Sequence, residues 1–399
     1  MPLQNRIRLN FVLLFGAAFL VYGIFYTSFA TLPFYIFYLG GTEFHSGLQN
    51  TIFFLTAIVL RFYFGPLADT RGRKLPLLIG TFVFATAPLL FLLSNNLWLL
   101  YLARMYQAIG MATFLATGAS LLGDMAPVER MGTYVGAYRF TINLSLLVGP
   151  FIALWVIEVS DFFYWYMASV VIGAVALILV AMIKPPPLPG EEKIETGSWK
   201  LTLDALNDKK LWPVYTGCML LAVAYGSLLT FVSIYIAKVT QVSNPGIYFT
   251  YFGLAACVAY LCSGYFSDRF GRAVIAWPAL MCLGLGAAIL LYLALEPAVL
   301  VLSSLLAGLG FAGGFSTLNA WLIEEAEKRL RATALSIMES ILDLFIAIGS
   351  LLFGIAGGWI GLGPSYALTG TGVVVLALLF MFLTLRGRQL EQTKNITGK

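Results

Sequence analysis

Charged residues are scarce in this sequence. The 399-residue chain has 24 basic and 19 acidic residues, which together make up 11% of it, whereas about 25% is usual in soluble domains. The formal net charge of +5 is small for so long a chain. The composition therefore excludes a soluble globular enzyme, a disordered chain and a nucleic-acid-binding domain.

Histidine and cysteine are also rare. His45 is the single histidine, and the four cysteines, Cys218, Cys257, Cys262 and Cys282, all lie in apolar stretches. Such cysteines are typical of small buried hydrophobic residues rather than of a disulfide framework. One histidine without a Cys-x-x-Cys pair cannot build a zinc site, so we expect no metal and no cofactor, and interpret His45 as an ordinary loop residue.

Hydrophobic residues, in contrast, make up 60% of the chain, against about 45–50% in soluble domains. A membrane-spanning helix needs about 20 consecutive apolar residues, and runs of this kind recur along the sequence. The spans must be helical, because lipid offers the backbone no hydrogen-bond partners. We predict twelve spans, at 11–37, 47–66, 76–94, 97–121, 133–157, 162–183, 211–237, 246–266, 274–294, 298–322, 333–358 and 364–385.

Lysine and arginine predict the orientation of these spans. With the N-terminus in the cytoplasm, 20 of the 24 basic residues fall on the cytoplasmic side, and Lys238 alone falls outside. We therefore expect a bacterial inner-membrane protein with both termini cytoplasmic. The first run, from Phe11 to Phe37, is much longer than the apolar core of a signal peptide, so no cleavable signal is expected.

The longest break between spans separates six spans from six. It contains four prolines between 185 and 189 and then a stretch around Trp199 that alternates apolar and charged residues. The prolines predict an extended start, and the later stretch predicts a short interfacial helix. The domains expected are 1–184, a cytoplasmic linker at 185–210, and 211–399.

The two halves carry an internal repeat. The pairs Gly65/Gly264, Asp69/Asp268, Gly72/Gly271 and Arg73/Arg272 all differ by 199, and the pairs Asp124/Glu325 and Arg130/Arg331 differ by 201. Such repeats are typical of secondary transporters with a site near the bilayer midplane. The fold class predicted is thus an all-α membrane protein, with twelve transmembrane helices arranged as two pseudo-symmetric six-helix bundles.

The repeated loop element has a physical interpretation. Gly65 allows two helices to approach closely, and Asp69 can accept hydrogen bonds at a helix N-terminus. Gly72 allows a tight turn, and Arg73 can pair with a carboxylate at the cytoplasmic rim. A basic loop with a turn glycine is the simpler alternative, but two copies at equal spacing favour a dedicated element.

These residues resemble a known family. Residues 65–74 are similar to the signature loop between helices two and three of the major facilitator superfamily, and 264–272 are similar to its second-half counterpart. Arg104, Gln107 and Gly110 are similar to the family's Arg-x-x-Gln-Gly element. The resemblance implies a twelve-helix transporter, most similar to the bacterial drug:proton antiporter-like efflux group and also to exporters of sugars and metallophores.

Span five departs from the family's antiporter motif. Three of its six marked positions match, at Gly136 and Gly149-Pro150, while Ser145 and Ala153-Leu154 replace the other glycines. Antiport and symport therefore both stay open. The resemblance also implies that Asp69, Arg73 and Asp124 form a charge cluster at the inner rim, which stabilises the outward-open state.

Four charged residues lie at depth within the predicted spans, where ionisable groups are costly and usually functional. Asp343 and Glu339 are one helical turn apart in span eleven and share a face; Arg104 and Arg139 lie in spans four and five. Apolar surroundings favour a protonated carboxylate and a nearby arginine favours the ionised form, as a proton carrier requires. The alternative is a permanent interhelical ion pair that fixes helix register.

Five polar side chains are candidates for the substrate cavity: Tyr22, Tyr26, Gln107, Asn143 and Asn319. With the charges above, they predict proton-coupled export of a small amphipathic molecule by alternating access. We expect the protein to act as a monomer, with protons and a small-molecule substrate as its partners.

Three alternatives stay open. The first is a proton symporter or facilitator for a polar solute such as a sugar, and the second is a lipid-headgroup flippase. The third is a membrane receptor that does not transport. An enzyme is not expected, because no nucleophile–base set is present, and the absence of a P-loop disfavours ATP-driven pumping.

Overall fold

The computed structural model describes residues 3–127, 130–185 and 199–397. Within these ranges it describes only the backbone of 3–7, 65–71, 199, 385 and 387–397. Fourteen α-helices and no β-strand are present in the described ranges. The helices are α1 (Leu3–Tyr38), α2 (Glu43–Arg71), α3 (Lys74–Leu93), α4 (Leu97–Gly110), α5 (Ala116–Met125), α6 (Met131–Val159), α7 (Phe162–Met182), α8 (Trp199–Asn207), α9 (Trp212–Val239), α10 (Ile247–Phe270), α11 (Arg272–Ala288), α12 (Val299–Glu325), α13 (Arg331–Ile360) and α14 (Leu362–Thr397).

Two helices continue through a change of helical type. A π-helical turn, Met111–Leu115, joins α4 to α5, and a 3₁₀ turn, Ile289–Tyr292, extends α11. Counted with these turns, twelve helical segments are long and apolar enough to cross a membrane. The predicted all-α class and the number of spans are therefore confirmed. The predicted short helix after the proline-rich break is α8.

Described residues form two compact units. Unit 1 comprises the described residues within Met1–Glu192, Leu229–Gly253 and Ser350–Gly358, and unit 2 comprises those within Lys193–Leu228, Leu254–Gly349 and Trp359–Lys399. Helices α9, α10 and α13 therefore contribute to both units. The expected domain boundaries at 184 and 211 follow the sequence repeat, and they stay a prediction.

In unit 1, α1 packs against α6 and α7, and α3 packs against α4 and α7. A core cluster that includes Leu32, Phe91, Leu100 and Trp165 joins α1, α3, α4 and α7. In unit 2, α11 packs against α12 and α14. These apolar contacts hold the helices that carry the polar residues described below.

We call the end at which α2 and α10 begin the distal end. The end at which these helices finish, before Gly72 and Gly271, is the proximal end. His45 lies at the distal end in the first turn of α2, where its Nδ1 accepts a hydrogen bond from the Thr42 backbone N–H at 3.1 Å. It was expected in a loop; instead it caps a helix, because this amide has no carbonyl of its own helix to bond.

Candidate functional site

Arg104 is a fully buried cation in α4, with 0% of its side chain exposed. Its Nη2 donates to Asn50 Oδ1 at 2.8 Å, and its Nη1 donates to Gln107 Oε1. The guanidinium carbon lies 4.1 Å from the centre of the Phe53 ring and 5.1 Å from that of Phe29. Among the described residues no carboxylate pairs with Arg104, so amide oxygens and aromatic faces stabilise the charge.

Gln107, a predicted cavity residue, is part of this arrangement. While its Oε1 accepts from Arg104, its Nε2 donates to Ser28 Oγ at 2.9 Å. Ser28 Oγ in turn donates to the Ile24 carbonyl at 2.8 Å. One side chain therefore links α1 to α4 and fixes one arm of the guanidinium.

Asn50 accepts from Nη2, the other terminal nitrogen of Arg104, and also contacts α9. Its Nδ2 donates to Thr230 Oγ1 in α9 at 2.6 Å, and Thr230 Oγ1 lies 3.0 Å from Ser350 Oγ in α13. We call Gly47, Asn50, Thr230 and Ser350 the distal junction. All four residues belong to unit 1. No sequence pattern noted above predicts this junction.

An ion pair lies at the distal end of the same unit. Lys238 Nζ is 2.6 Å from Glu43 Oε1, and their side chains are 44% and 18% exposed. Lys238 Nζ also lies 4.4 Å from the centre of the Phe37 ring. The lysine therefore joins the end of α9 to α1 and α2.

Two glycines bring backbones into direct contact at this end. A Cβ on Gly47 in α2 would clash with the Ser350 carbonyl oxygen in α13, and a Cβ on Gly246 before α10 would lie 2.6 Å from the Pro150 oxygen in α6. Because real Cβ atoms essentially never approach so closely, both positions require glycine. We call these two contacts the glycine seams.

The α6–α10 seam is reinforced by polar groups. Asn143 Nδ2 donates to the Gly253 carbonyl at 2.9 Å, Thr250 Oγ1 to the Leu147 carbonyl at 3.0 Å, and Asn244 Nδ2 to the Phe151 carbonyl at 2.9 Å. Asn143, expected in the cavity, therefore lies in a helix–helix contact.

The remaining cavity candidates lie in different surroundings. Tyr22 is buried and packs edge to face with Phe25 at 6.1 Å, and half-buried Tyr26 lies 6.1 Å from Tyr22. In unit 2, half-buried Asn319 donates through Nδ2 to the Phe315 carbonyl of its own helix at 2.9 Å. Two of the five candidates, Tyr22 and Tyr26, are thus neighbours in α1.

Unit 2 contains the two carboxylates predicted to carry protons. Asp343 is 5% exposed and Glu339, one turn earlier in α13, is half-buried. Both interact electrostatically with the buried thiol of Cys218 in α9, whose Sγ donates to the Met338 carbonyl at 3.5 Å. The Cys218–Met338 contact joins α9 to the turn of α13 that contains Glu339.

Arg139, the second predicted cation, differs from Arg104. It lies in α6 of unit 1 with an exposed side chain, whereas Arg104 has no exposed surface. The two arginines, which the sequence grouped together, therefore have distinct environments.

At the proximal end, each unit contains an arginine–carboxylate pair. In unit 1, Arg73 Nε lies 2.9 Å from Asp124 Oδ2. In unit 2, Arg272 Nε lies 3.0 Å from Glu324 Oε2, and Arg272 also pairs with Asp268. Gly65 and Asp69 lie in the stretch 65–71, of which the structure describes only the backbone.

The second pair corrects the predicted repeat. Glu325, which the offset of 201 made the counterpart of Asp124, accepts instead from Trp321 Nε1 at 3.2 Å. Glu324, at an offset of 200, occupies the matching position. Asp124 and Glu324 each lie two residues before the alanine at the C-terminal end of their helix, which is Ala126 for α5 and Ala326 for α12. The counterpart of Asp124 is therefore Glu324 and not Glu325.

Glycines in the signature loops have two different roles. Gly72 and Gly271 adopt φ values of 85° and 96°, a region that side chains with a Cβ rarely adopt. Both tight turns therefore require glycine. A Cβ on Gly264, in contrast, would meet no atom within 4 Å, so no close approach requires glycine there.

Twelve apolar helical segments, buried charges within them and a repeated loop of this kind define a polytopic membrane protein of the transporter class. A family model described as Major Facilitator Superfamily matches residues 14–350 and 242–399. The chain belongs to this superfamily.

Its relatives are distant. The chain is 25% identical over 176 residues to the riboflavin transporter RibZ of Clostridioides difficile (strain 630), which covers 42% of this chain and 39% of that protein. It is 26% identical over 258 residues to the quinolone resistance protein NorA of Staphylococcus aureus (strain MSSA476), which covers 62% and 65%. The match thus spans about two fifths to two thirds of these relatives' lengths.

Solved structures show the same fold. The crystal structure of the nucleoside transporter NupG superposes with a TM-score of 0.77 at 16% identity. The match covers 94% of this chain and 99% of that one. At this identity the similarity concerns the fold alone.

Proposed function

We propose that this transporter exports a small amphipathic molecule in exchange for protons, by alternating access. The observation that carries the proposal is the position of Asp343. This carboxylate is 5% exposed in α13, within a segment apolar enough to span a membrane. Because ionisable groups at such positions are rare and usually functional, Asp343 is the first candidate proton carrier and Glu339 the second.

Arginines supply the fixed charge in this mechanism. A guanidinium stays protonated in proteins, and Arg104 has both terminal nitrogens held by amide oxygens. Arg104, with Arg139 as the second cation, favours the ionised carboxylate in one conformation, and apolar surroundings favour the protonated one in the other. A carboxylate that alternates between these surroundings takes up a proton on one side and releases it on the other.

Proximal ion pairs serve as the gate in this proposal. Each rim pair contributes about 0–1 kcal/mol, which is small for a single contact. Two conformations that differ by a few kcal/mol are enough for alternating access. The Arg73–Asp124 pair of unit 1 and the Arg272–Glu324 pair of unit 2, with Asp268, therefore suffice to favour one state.

The names of two relatives support the substrate class. RibZ is named for riboflavin and NorA for resistance to quinolones, and riboflavin and quinolones are both planar molecules with apolar and polar parts. The lysine and arginine distribution supports a bacterial inner-membrane location with both termini in the cytoplasm. In that orientation the distal end faces outward.

The test is flux in proteoliposomes with an imposed proton gradient. A fluorescent quinolone and riboflavin serve as probes, and an enclosed pH dye reports proton movement. We expect probe movement to be coupled to protons in the wild type and uncoupled in Asp343→Asn, with a smaller loss in Glu339→Gln. Glu296→Gln, at an exposed carboxylate between spans, is the matched control. Unchanged coupling in both variants would show that these residues are not the carriers.

A second candidate function is uptake of a solute that carries an anionic group, by symport or facilitation. Arg104 favours it, because no carboxylate among the described residues pairs with this buried cation. A lipid headgroup phosphate presents the same chemistry. The same vesicles distinguish these functions. Export by antiport predicts that the probe moves in the direction opposite to the proton flow, and symport predicts that it moves in the same direction. A flux that does not depend on the proton gradient indicates a facilitator.

A further inference from the structure

Asn50 uses both ends of its side-chain amide. Its Oδ1 accepts from Arg104 Nη2 at 2.8 Å and from Gln49 Nε2 at 2.7 Å, while its Nδ2 donates to Thr230 Oγ1 at 2.6 Å. The side chain is fully buried. One amide thus joins the buried cation of α4 to α9.

We propose that Asn50 is a positioning residue that couples Arg104 to closure of the distal end. In the structure, Arg104 holds Asn50 in the orientation in which its amide reaches Thr230. When the guanidinium is drawn to another partner, Asn50 loses this restraint and the distal junction weakens. The coupling rests on the proposed function in one respect, namely that the distal end opens during transport.

Ser350 makes two contacts in the distal junction. Its hydroxyl lies 3.0 Å from Thr230 Oγ1, and its carbonyl oxygen is in direct contact with Gly47, less than one turn before Asn50. The α2–α13 contact therefore has a backbone part at Gly47 and a side-chain part that runs through Asn50 and Thr230. A rotation of the Asn50 amide affects only the side-chain part.

The charge of Arg104 affects the hydrogen bonds that run from Arg104 through Asn50 to Thr230. A positive guanidinium polarises the amide that accepts from it, which strengthens that amide as a donor to the next group. Arg104, Asn50 and Thr230 are all at most 2% exposed, so water does not compete for these bonds. Hydrogen bonds to a charged group are also stronger than neutral ones. The charge of Arg104 therefore strengthens the hydrogen bond that Asn50 donates to Thr230 in α9.

Distances between spin labels at the distal end test the coupling. Trp98 in α4 and Leu352 in α13 are 78% and 58% exposed, and each is replaced by a labelled cysteine after the four native cysteines are changed to alanine. The ratio of the longer to the shorter distance is measured at acidic and alkaline pH. For Asn50→Ala we expect a shift towards the longer distance of about tenfold, as loss of a charge-assisted buried hydrogen bond implies.

Companion variants separate coupling from plain packing. Thr230→Val should shift the ratio in the same direction, and the double variant should match Asn50→Ala within about twofold, since both remove one chain. In an Arg104→Leu background, Asn50→Ala should change the ratio by less than about twofold. Thr230→Val, measured with and without Arg104→Leu, leaves Asn50 in place and covers the case in which Asn50→Ala does not fold. Ser233→Ala, one turn further along α9, is the control.

Each other outcome counts against the proposal. A ratio for Asn50→Ala equal to that of Ser233→Ala, in a protein whose wild type shows both distances, overturns the coupling and leaves the proposed function standing. An undiminished shift in the Arg104→Leu background shows that Asn50 acts as a packing contact only. A wild type that shows the short distance under all conditions contradicts alternating access itself, and the coupling with it.

Discussion

The carbonyl oxygen of Ser350 in α13 lies against the Cα of Gly47 in α2, with no room for a side chain between them. Gly246 meets the Pro150 oxygen in the same way, and it follows Gly47 by 199 residues as Ser350 follows Pro150 by 200. The offset of 199 is also that of Gly72 and Gly271. The glycine seams are therefore a third element of the internal repeat.

Alanine in either seam should prevent full closure of the distal end. Gly47→Ala and Gly246→Ala each force a Cβ onto a backbone carbonyl, which cannot move aside as a flexible side chain can. We expect a loss of about 1–3 kcal/mol in the stability of this conformation, measured as a lower melting temperature in detergent and as faster labelling of cysteines placed at the distal end.

Gly358→Ala is the matched control for the seams. A Cβ there meets no atom within 4 Å, and alanine favours the helix by about 0.5–1 kcal/mol over glycine. The control should therefore melt at the same temperature or higher. Equal effects of Gly47→Ala and Gly358→Ala would show that the seam is not tight in the membrane.

The Lys238–Glu43 pair should contribute modestly to the same closure. Because Lys238 is 44% exposed, solvent screens the pair, and we expect Lys238→Ala to cost about 1 kcal/mol from the ion pair and the Phe37 ring together. Lys238→Arg should retain most of it. The check is distal labelling at low and high salt: the difference between Ala and Arg variants should shrink as salt rises. No salt dependence would assign the effect to the ring contact alone.

Much of this fold could be predicted from the sequence, since each prediction depended on a local signal. Apolar runs report spans because lipid permits only closed hydrogen bonding. Gly72 and Gly271 stand out because the chain turns sharply between two helices. Asp343 stands out because a carboxylate inside an apolar run has few explanations.

The distal junction could not be predicted in this way. Thr230 and Ser350 are small polar residues in apolar helices, where most hydroxyls bond to their own backbone, as Ser227 and Thr240 do. Which of them faces another helix depends on helix rotation. Gly47 and Gly246 offered a signal that was missed: the offset of 199, already established by the loops, connects them.

The two glutamates at the end of α12 should behave differently. Glu324 pairs with Arg272 as Asp124 pairs with Arg73, whereas Glu325 bonds to Trp321. If the proximal pairs form the gate, Glu324→Gln and Asp124→Asn should lower the maximal transport rate several-fold with little change in apparent affinity. Glu325→Gln retains an acceptor for the indole and should stay near wild type. The reverse ranking would restore the offset of 201.

Replacement of Arg104 by lysine separates charge from geometry. Lysine keeps the positive charge, but its ammonium is a single point, whereas the guanidinium reaches Gln107 and Asn50 at once through two nitrogens. If Arg104 acted by charge alone, Arg104→Lys would transport like the wild type and Arg104→Gln would fail. Because the fork orients both amides, we expect Arg104→Lys to lose at least about tenfold in coupled flux. It should also shift the spin-label distances towards the longer value, since Asn50 is no longer held. Wild-type flux with wild-type distances in Arg104→Lys would refute the geometric role and leave the charge as the sole requirement.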